Sequence, residues 1–167
     1  MKKVILKPNL KDDQYTAILD DIRGKGDIGV YNYLSNIDEL NERNLLAGVA
    51  SRYFRTDCYC LEMDEKTLTM FGLKHAENIQ KILPDEIDPA LLEKCRAFLK
   101  MTRHLSELSN ALSDLQTAES DLSYDYEEIT GRESRMYSFN DIDIEEYRDY
   151  YSLENSSIDE VFEELLT

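Results

Sequence analysis

The sequence predicts an α+β protein, mainly helical, with a small N-terminal αβ part, one long helix and an acidic helical C-terminal part. Three observations predict it. Short β-compatible runs, Val4-Ile5-Leu6 and Cys58-Tyr59-Cys60-Leu61-Glu62-Met63, stand early in the chain. Beyond Pro84, apolar residues recur at helical spacing. Charge is divided unevenly: residues 1–105 hold 16 Lys+Arg against 17 Asp+Glu, a net of −1, whereas residues 106–167 hold 3 against 18, a net of −15. These observations divide the chain into residues 1–83, 84–123 and 124–167.

Val4, Ile5 and Leu6 form a strand closed by Pro8, and Leu10, Ala17, Ile18 and Ile22 share one face of a following helix. Gly24, Gly26 and Gly29 predict a flexible turn, with a strand expected over residues 30–34. Asn36-Ile37-Asp38-Glu39 has the form of a capping box, so a helix is expected from Ile37 toward Phe54. Its weak periodicity predicts burial on more than one side. Residues 58–63 form the next strand. Leu73, Ala76, Ile79, Ile82 and Leu83 suit an amphipathic helix stopped by Pro84.

Asp88-Pro89 is a strong helix start, because aspartate accepts free N–H groups and proline at the first position loses no bond. Phe98, Met101, Leu105, Leu108, Leu112, Leu115 and Leu122 then follow heptad spacing, broken at Glu119. The simplest use of this 98–122 seam is an intramolecular helix contact, and a homodimer through the same seam is the alternative. The helix is expected to fray between Leu122 and Thr130 before Gly131. Residues 136–139 read as extended. Ile144, Tyr147, Tyr150 and Tyr151 mark an acidic helix, and Ser157-Ile158-Asp159-Glu160 opens a last one carrying Val161, Phe162, Leu165 and Leu166.

A chain of 167 residues with 42% hydrophobic content can bury a core. Three cysteines without a regular framework, and no leader-like apolar run, indicate a reduced, cytoplasmic protein. No stretch of eighteen apolar residues offers a membrane span, and acidic surface is repelled by anionic lipid. Direct nucleic-acid binding is not expected, since phosphate contact depends on clustered Lys and Arg.

No catalytic residue, metal or cofactor is expected. Cys58, Cys60, Cys95, His75 and His104 lack the paired spacings of zinc sites, and the carboxylates are too many for any two to stand out as an acid–base pair. Asn140-Asp141-Ile142-Asp143-Ile144-Glu145 alternates oxygen ligands but lacks the glycine of a calcium loop. The segment with functional content is the acidic, tyrosine-rich one, which holds six of the eleven tyrosines after Leu122. Duplex DNA carries one charge per about 1.7 Å, so 15 net negative charges match roughly 25 Å of duplex, about 7–8 base pairs. The predicted partner-binding residues are Asp121, Asp125, Glu127, Glu128, Asp141, Asp143, Glu145, Glu146 and Asp149 as phosphate surrogates, with Tyr124, Tyr126, Tyr147 and Tyr151 giving shape.

Ile37-Asp38-Glu39-Leu40-Asn41-Glu42, Leu83-Pro84-Asp85-Glu86-Ile87 and Tyr126-Glu127-Glu128-Ile129-Thr130-Gly131 resemble segments of the ArdA antirestriction family. The resemblance covers about a tenth of the chain. It implies a DNA-mimicking protein of a mobile element that occupies the DNA cleft of a restriction enzyme. The near-neutral first part departs from that family's more uniform acidity. The expected function is therefore a non-catalytic anti-defence inhibitor, antirestriction or anti-CRISPR in type, whose partner is a basic DNA-binding protein: a restriction enzyme or CRISPR effector. Two alternatives remain open, an immunity protein or antitoxin neutralising a basic toxin, and a helical structural or assembly protein.

Overall fold

The computed structural model describes residues 1–133, 159–161 and 163–164. The chain divides into two compact units, Met1–Lys100 with Ser156–Thr167, and Met101–Asn155.

In the first unit four strands, β1 (Lys2–Leu6), β2 (Gly26–Gly29), β3 (Cys60–Met63) and β4 (Ile79–Leu83), form an antiparallel sheet in the order β2-β3-β1-β4. Val4 stands opposite Leu61 on one side and Ile82 on the other, and Ile28 also faces Leu61. Side chains alternate across a strand, so the sheet presents two faces. Val4, Leu6, Leu61 and Met63 pack with Ile18 and Ile22 of α1 (Asp12–Ile22) and Phe71 of α3 (Glu65–His75). Ile5 and Cys60 point the other way and are fully buried. That side is covered by α2 (Glu42–Phe54). There Leu45, Leu46, Ala47, Gly48, Val49 and Ala50 are buried in unbroken succession, the all-round burial that the weak periodicity predicts.

The helix α4 (Pro89–Thr130) begins in this unit with Leu91, Cys95, Phe98 and Leu99 buried. A Cβ on Gly48 would stand 2.7 Å from Tyr31 Cδ2 and 2.9 Å from Leu99 Cδ1, so the missing side chain is what admits Leu99 against α2. Asp88 opens α4 as expected, its carboxylate accepting from the Ala90 N–H at 2.9 Å. Lys100 pairs with Asp38 at 2.6 Å, and Lys94 with Glu164 at 2.7 Å. Residues 159–161 and 163–164 are helical, and Val161 is buried.

Four expectations are corrected. The glycine segment turns only over residues 23–25 and then forms the edge strand β2, and residues 30–34 are not a strand. A Cβ on Gly29 would lie 2.5 Å from Arg43 Cβ and 2.6 Å from the Arg43 carbonyl carbon, and one on Gly26 would lie 2.7 Å from the Glu62 carbonyl oxygen. Glycine here serves close approach; only Gly24, at φ 71°, makes the turn. Asn36 is a cap but not the reciprocal box expected: its Oδ1 accepts from the Asp38 N–H at 3.2 Å, and Glu39 is met by the Asn36 side-chain Nδ2, donating at 2.9 Å. It opens one 3-10 turn, Ile37–Glu39, while α2 starts at a second cap, Asn41, whose Oδ1 accepts from the Asn44 N–H at 2.9 Å.

The helix expected over residues 73–83 is instead the end of α3, capped by Asp64, followed by β4. Leu73, expected on its apolar face, is 78% exposed, and pairing with β1 overrides the local helical spacing. The fourth correction is length: α4 continues through the predicted fraying zone to Thr130, 42 residues or about 63 Å. Among the described residues, no helix is long and apolar enough to cross a membrane.

Candidate acidic docking surface

No proline or glycine interrupts the sequence between Pro89 and Gly131, so nothing local breaks α4 until Gly131 adopts φ 62°. There the Gly131 N–H donates to the Glu127 carbonyl at 2.8 Å, and Thr130 Oγ1 donates to the Tyr126 carbonyl at 2.7 Å. In the second unit α4 runs from Met101, with Thr102 and Leu105 buried and residues 124–133 exposed.

Six of the predicted residues lie on this helix end, all exposed: Asp121, Tyr124, Asp125, Tyr126, Glu127 and Glu128. At 100° per residue, Asp121, Tyr124, Asp125 and Glu128 share one face, Glu127 flanks it and Tyr126 lies across the helix. Glu119, Asp121, Asp125, Glu127 and Glu128 place five carboxylates within ten residues, one per about 3 Å of axis. A single DNA strand carries one charge per about 3.4 Å. The end of α4 thus has the linear charge density of one strand of a duplex. The sequence has no Lys or Arg between Arg103 and Arg132, and the last turn of α4 holds no base. Asp121 and Asp125 repel at i,i+4 spacing, and the carboxylates crowd the negative end of the helix dipole. Cations brought by a partner relieve both.

Asp141, Asp143, Glu145, Glu146, Asp149, Tyr147 and Tyr151 lie outside the described residues, as do the expected 136–139 and 141–153 segments.

One feature that the heptad reading merged into a single seam is resolved into two faces. Leu112, Gln116, Glu119 and Ser123 form a half-buried row continuing from buried Leu105. Leu108, Ala111, Leu115, Ala118 and Leu122 form a separate exposed ridge at alternating spacings of three and four, which Ile129 resumes seven residues on, with Asp125 at the position between. Leu108 is 48% exposed, Leu115 49%, Leu122 56% and Ile129 83%. The seven-residue intervals between Leu108, Leu115, Leu122 and Ile129 were visible in the sequence; which side of the heptad faced solvent was not.

Comparison with protein-family models, with curated proteins and with solved structures finds no match.

Two polar clusters in the first unit were not anticipated. His75 Nε2 lies 2.7 Å and Lys74 Nζ 2.8 Å from the Asp21 carboxylate, which these partners hold below the usual carboxylate range. A cavity of about 390 Å³ beside them is lined by Asp21, Lys25, Lys66, Met70, Phe71 and Lys74, among others. On the opposite side of the sheet, Lys3 meets Glu42 at 3.1 Å and Glu62 at 3.9 Å, and Arg43 bridges Glu62 and Asp27.

Among the described residues, no group of three His, Cys, Asp or Glu side chains stands together as a metal site. The three cysteines are free and buried. Burial pushes the Cys58 thiol up to about 11 and those of Cys60 and Cys95 up to about 12, so none is prepared as a nucleophile.

Proposed function

We propose that this protein is a non-catalytic anti-defence inhibitor, antirestriction or anti-CRISPR in type, that blocks a DNA-binding enzyme by presenting an acidic surface in place of DNA. The observation that supports it is the end of α4, where the number of carboxylates per length of axis reaches that of a DNA strand with no Lys or Arg interspersed. Asp121, Asp125, Glu127 and Glu128 stand in for phosphates, a role also proposed for Asp141, Asp143, Glu145, Glu146 and Asp149, and Tyr124, Tyr126, Tyr147 and Tyr151 are proposed as contact residues. The partner is a basic DNA-binding protein such as a restriction enzyme or CRISPR effector.

A second reading, an immunity protein or antitoxin that caps a basic toxin, is favoured by the exposed Leu/Ala ridge. Imitation of a phosphate backbone makes no use of an apolar strip, whereas a protein partner does.

The test is inhibition of candidate nucleases at low and high salt by the parent and by a variant with Asp121→Asn, Asp125→Asn, Glu127→Gln and Glu128→Gln together. Inhibition should weaken by about a hundredfold or more and lose much of its salt dependence, with helical content unchanged. Undiminished inhibition by the variant removes the acidic end of α4 from the binding face.

A further inference from the structure

The exposed ridge on α4 is bordered by a regular row of acid. Glu107, Asp114 and Asp121 stand one helical turn before Ala111, Ala118 and Asp125, respectively, and Glu128 continues the row at the same seven-residue interval, about 10.5 Å. The ridge itself carries no charge from Leu108 to Leu122, and its leucines alternate with alanines. Large and small residues in alternation give holes into which a second helix can set its own side chains. Leu108 to Ile129 spans about 31 Å, enough for some 21 residues of a partner helix.

A second copy of this chain is a poor occupant. Packed antiparallel, its ridge would bring a second acidic row to the same edge; packed parallel, each acidic row would meet the other edge, which carries Glu119. No Lys or Arg between Arg103 and Arg132 is available to answer them in either orientation. The complementary object has the same apolar spacing and the opposite charge.

We infer that the Leu108–Ala111–Leu115–Ala118–Leu122–Ile129 face of α4 is the docking site for a cationic amphipathic helix of a partner protein, with Lys or Arg at seven-residue intervals along its apolar stripe. This rests on the reading of α4 as a surface for a basic protein and adds the element by which that protein is held. The leucines supply packing and position; the acidic row selects charge and fixes register.

The probe is a labelled synthetic helix of 21 residues with a leucine heptad stripe flanked by lysines, titrated with the full chain by fluorescence anisotropy. Two controls accompany it: the same residues scrambled so that no stripe forms, and the striped peptide with glutamate for every lysine. The striped lysine peptide should bind about tenfold or more tightly than either control and gain helix on binding. Leu115→Gln with Leu122→Gln should lower its affinity about tenfold at any salt, while Asp114→Asn with Asp121→Asn should lower it mainly at low salt. All four positions are exposed, and circular dichroism with thermal melting checks that each variant stays folded.

Equal binding of the scrambled peptide, or indifference to the two leucine changes, overturns the inference and leaves the polyanion reading standing. A dimer in sedimentation that Leu115→Gln dissolves also overturns it, since the face then belongs to a second copy. Failure of the nuclease test with intact, stripe-dependent peptide binding removes the DNA-mimic reading alone.

Discussion

Replacing Lys3 by methionine isolates one charge between the sheet and α2. The Lys3 side chain is 7% exposed, and its ammonium lies 3.1 Å from Glu42 and 3.9 Å from Glu62, whose side chains are 33% and 20% exposed. Methionine keeps an unbranched stem of similar length, so packing is largely retained while the cation is lost. Glu62 still has Arg43, but Glu42 loses its ion-pair partner. Removing one member of a fully buried pair costs about 3–5 kcal/mol, and an exposed pair contributes about 0–1. The partial exposure of both carboxylates places Lys3→Met between these limits, at about 2 kcal/mol. For a chain of this size that corresponds to a melting point lower by about 4–8 °C. Thermal and urea unfolding followed by far-ultraviolet circular dichroism measures it. Adding Glu42→Gln should recover part of the loss, because the stranded charge is then removed as well. A single variant as stable as the parent would refute the reasoning: the lysine would be a tolerated charge and not a stabilising one.

Gly29→Ala forces a methyl onto the Arg43 backbone, where no rotamer change makes room, and should cost about 2–3 kcal/mol in the same unfolding assay. Asn41→Ala should cost about 1 kcal/mol by uncapping α2, whereas Asn36→Ala touches a single 3-10 turn and should cost less; equal losses would return the helix start to Asn36. With thiols raised to about 11, 12 and 12, at pH 8 Cys58 holds on the order of 0.1% thiolate, and Cys60 and Cys95 about tenfold less, against roughly a quarter for an unfolded cysteine. Alkylation in the native protein should therefore be slower by about a hundredfold or more than in urea, and fast labelling without denaturant would contradict their burial.

Where the sequence signal was local, it was readable. Val4-Ile5-Leu6 and Cys60-Leu61 announce buried strands, Asp88-Pro89 announces a helix, and Gly131 ends it, because each acts through neighbours in the chain. Two of the misread elements depend on distant partners. Gly26 and Gly29 look like a turn until β3 and α2 are seen to press on them. Ile79, Ile82 and Leu83 suit a helix until β1 supplies a strand to pair with. Of the predicted docking residues, Asp121, Asp125, Glu127 and Glu128 were picked out by charge alone, and the structure added that one continuous helix carries them, all exposed, together with their angular arrangement. The ridge beside them was missed because a heptad count does not say which of its flanks is covered.

By itself the sequence determined the α+β class, the segregation of acid beyond residue 105, and the start of α4 at Asp88-Pro89, since composition and backbone preference act without reference to anything far away. Only the tertiary structure decided the strand order β2-β3-β1-β4, the burial of Lys3 among carboxylates, and the side of α4 left open to solvent. Each of these is set by which surfaces meet across long stretches of chain, and contact between distant surfaces leaves no period or motif along the sequence.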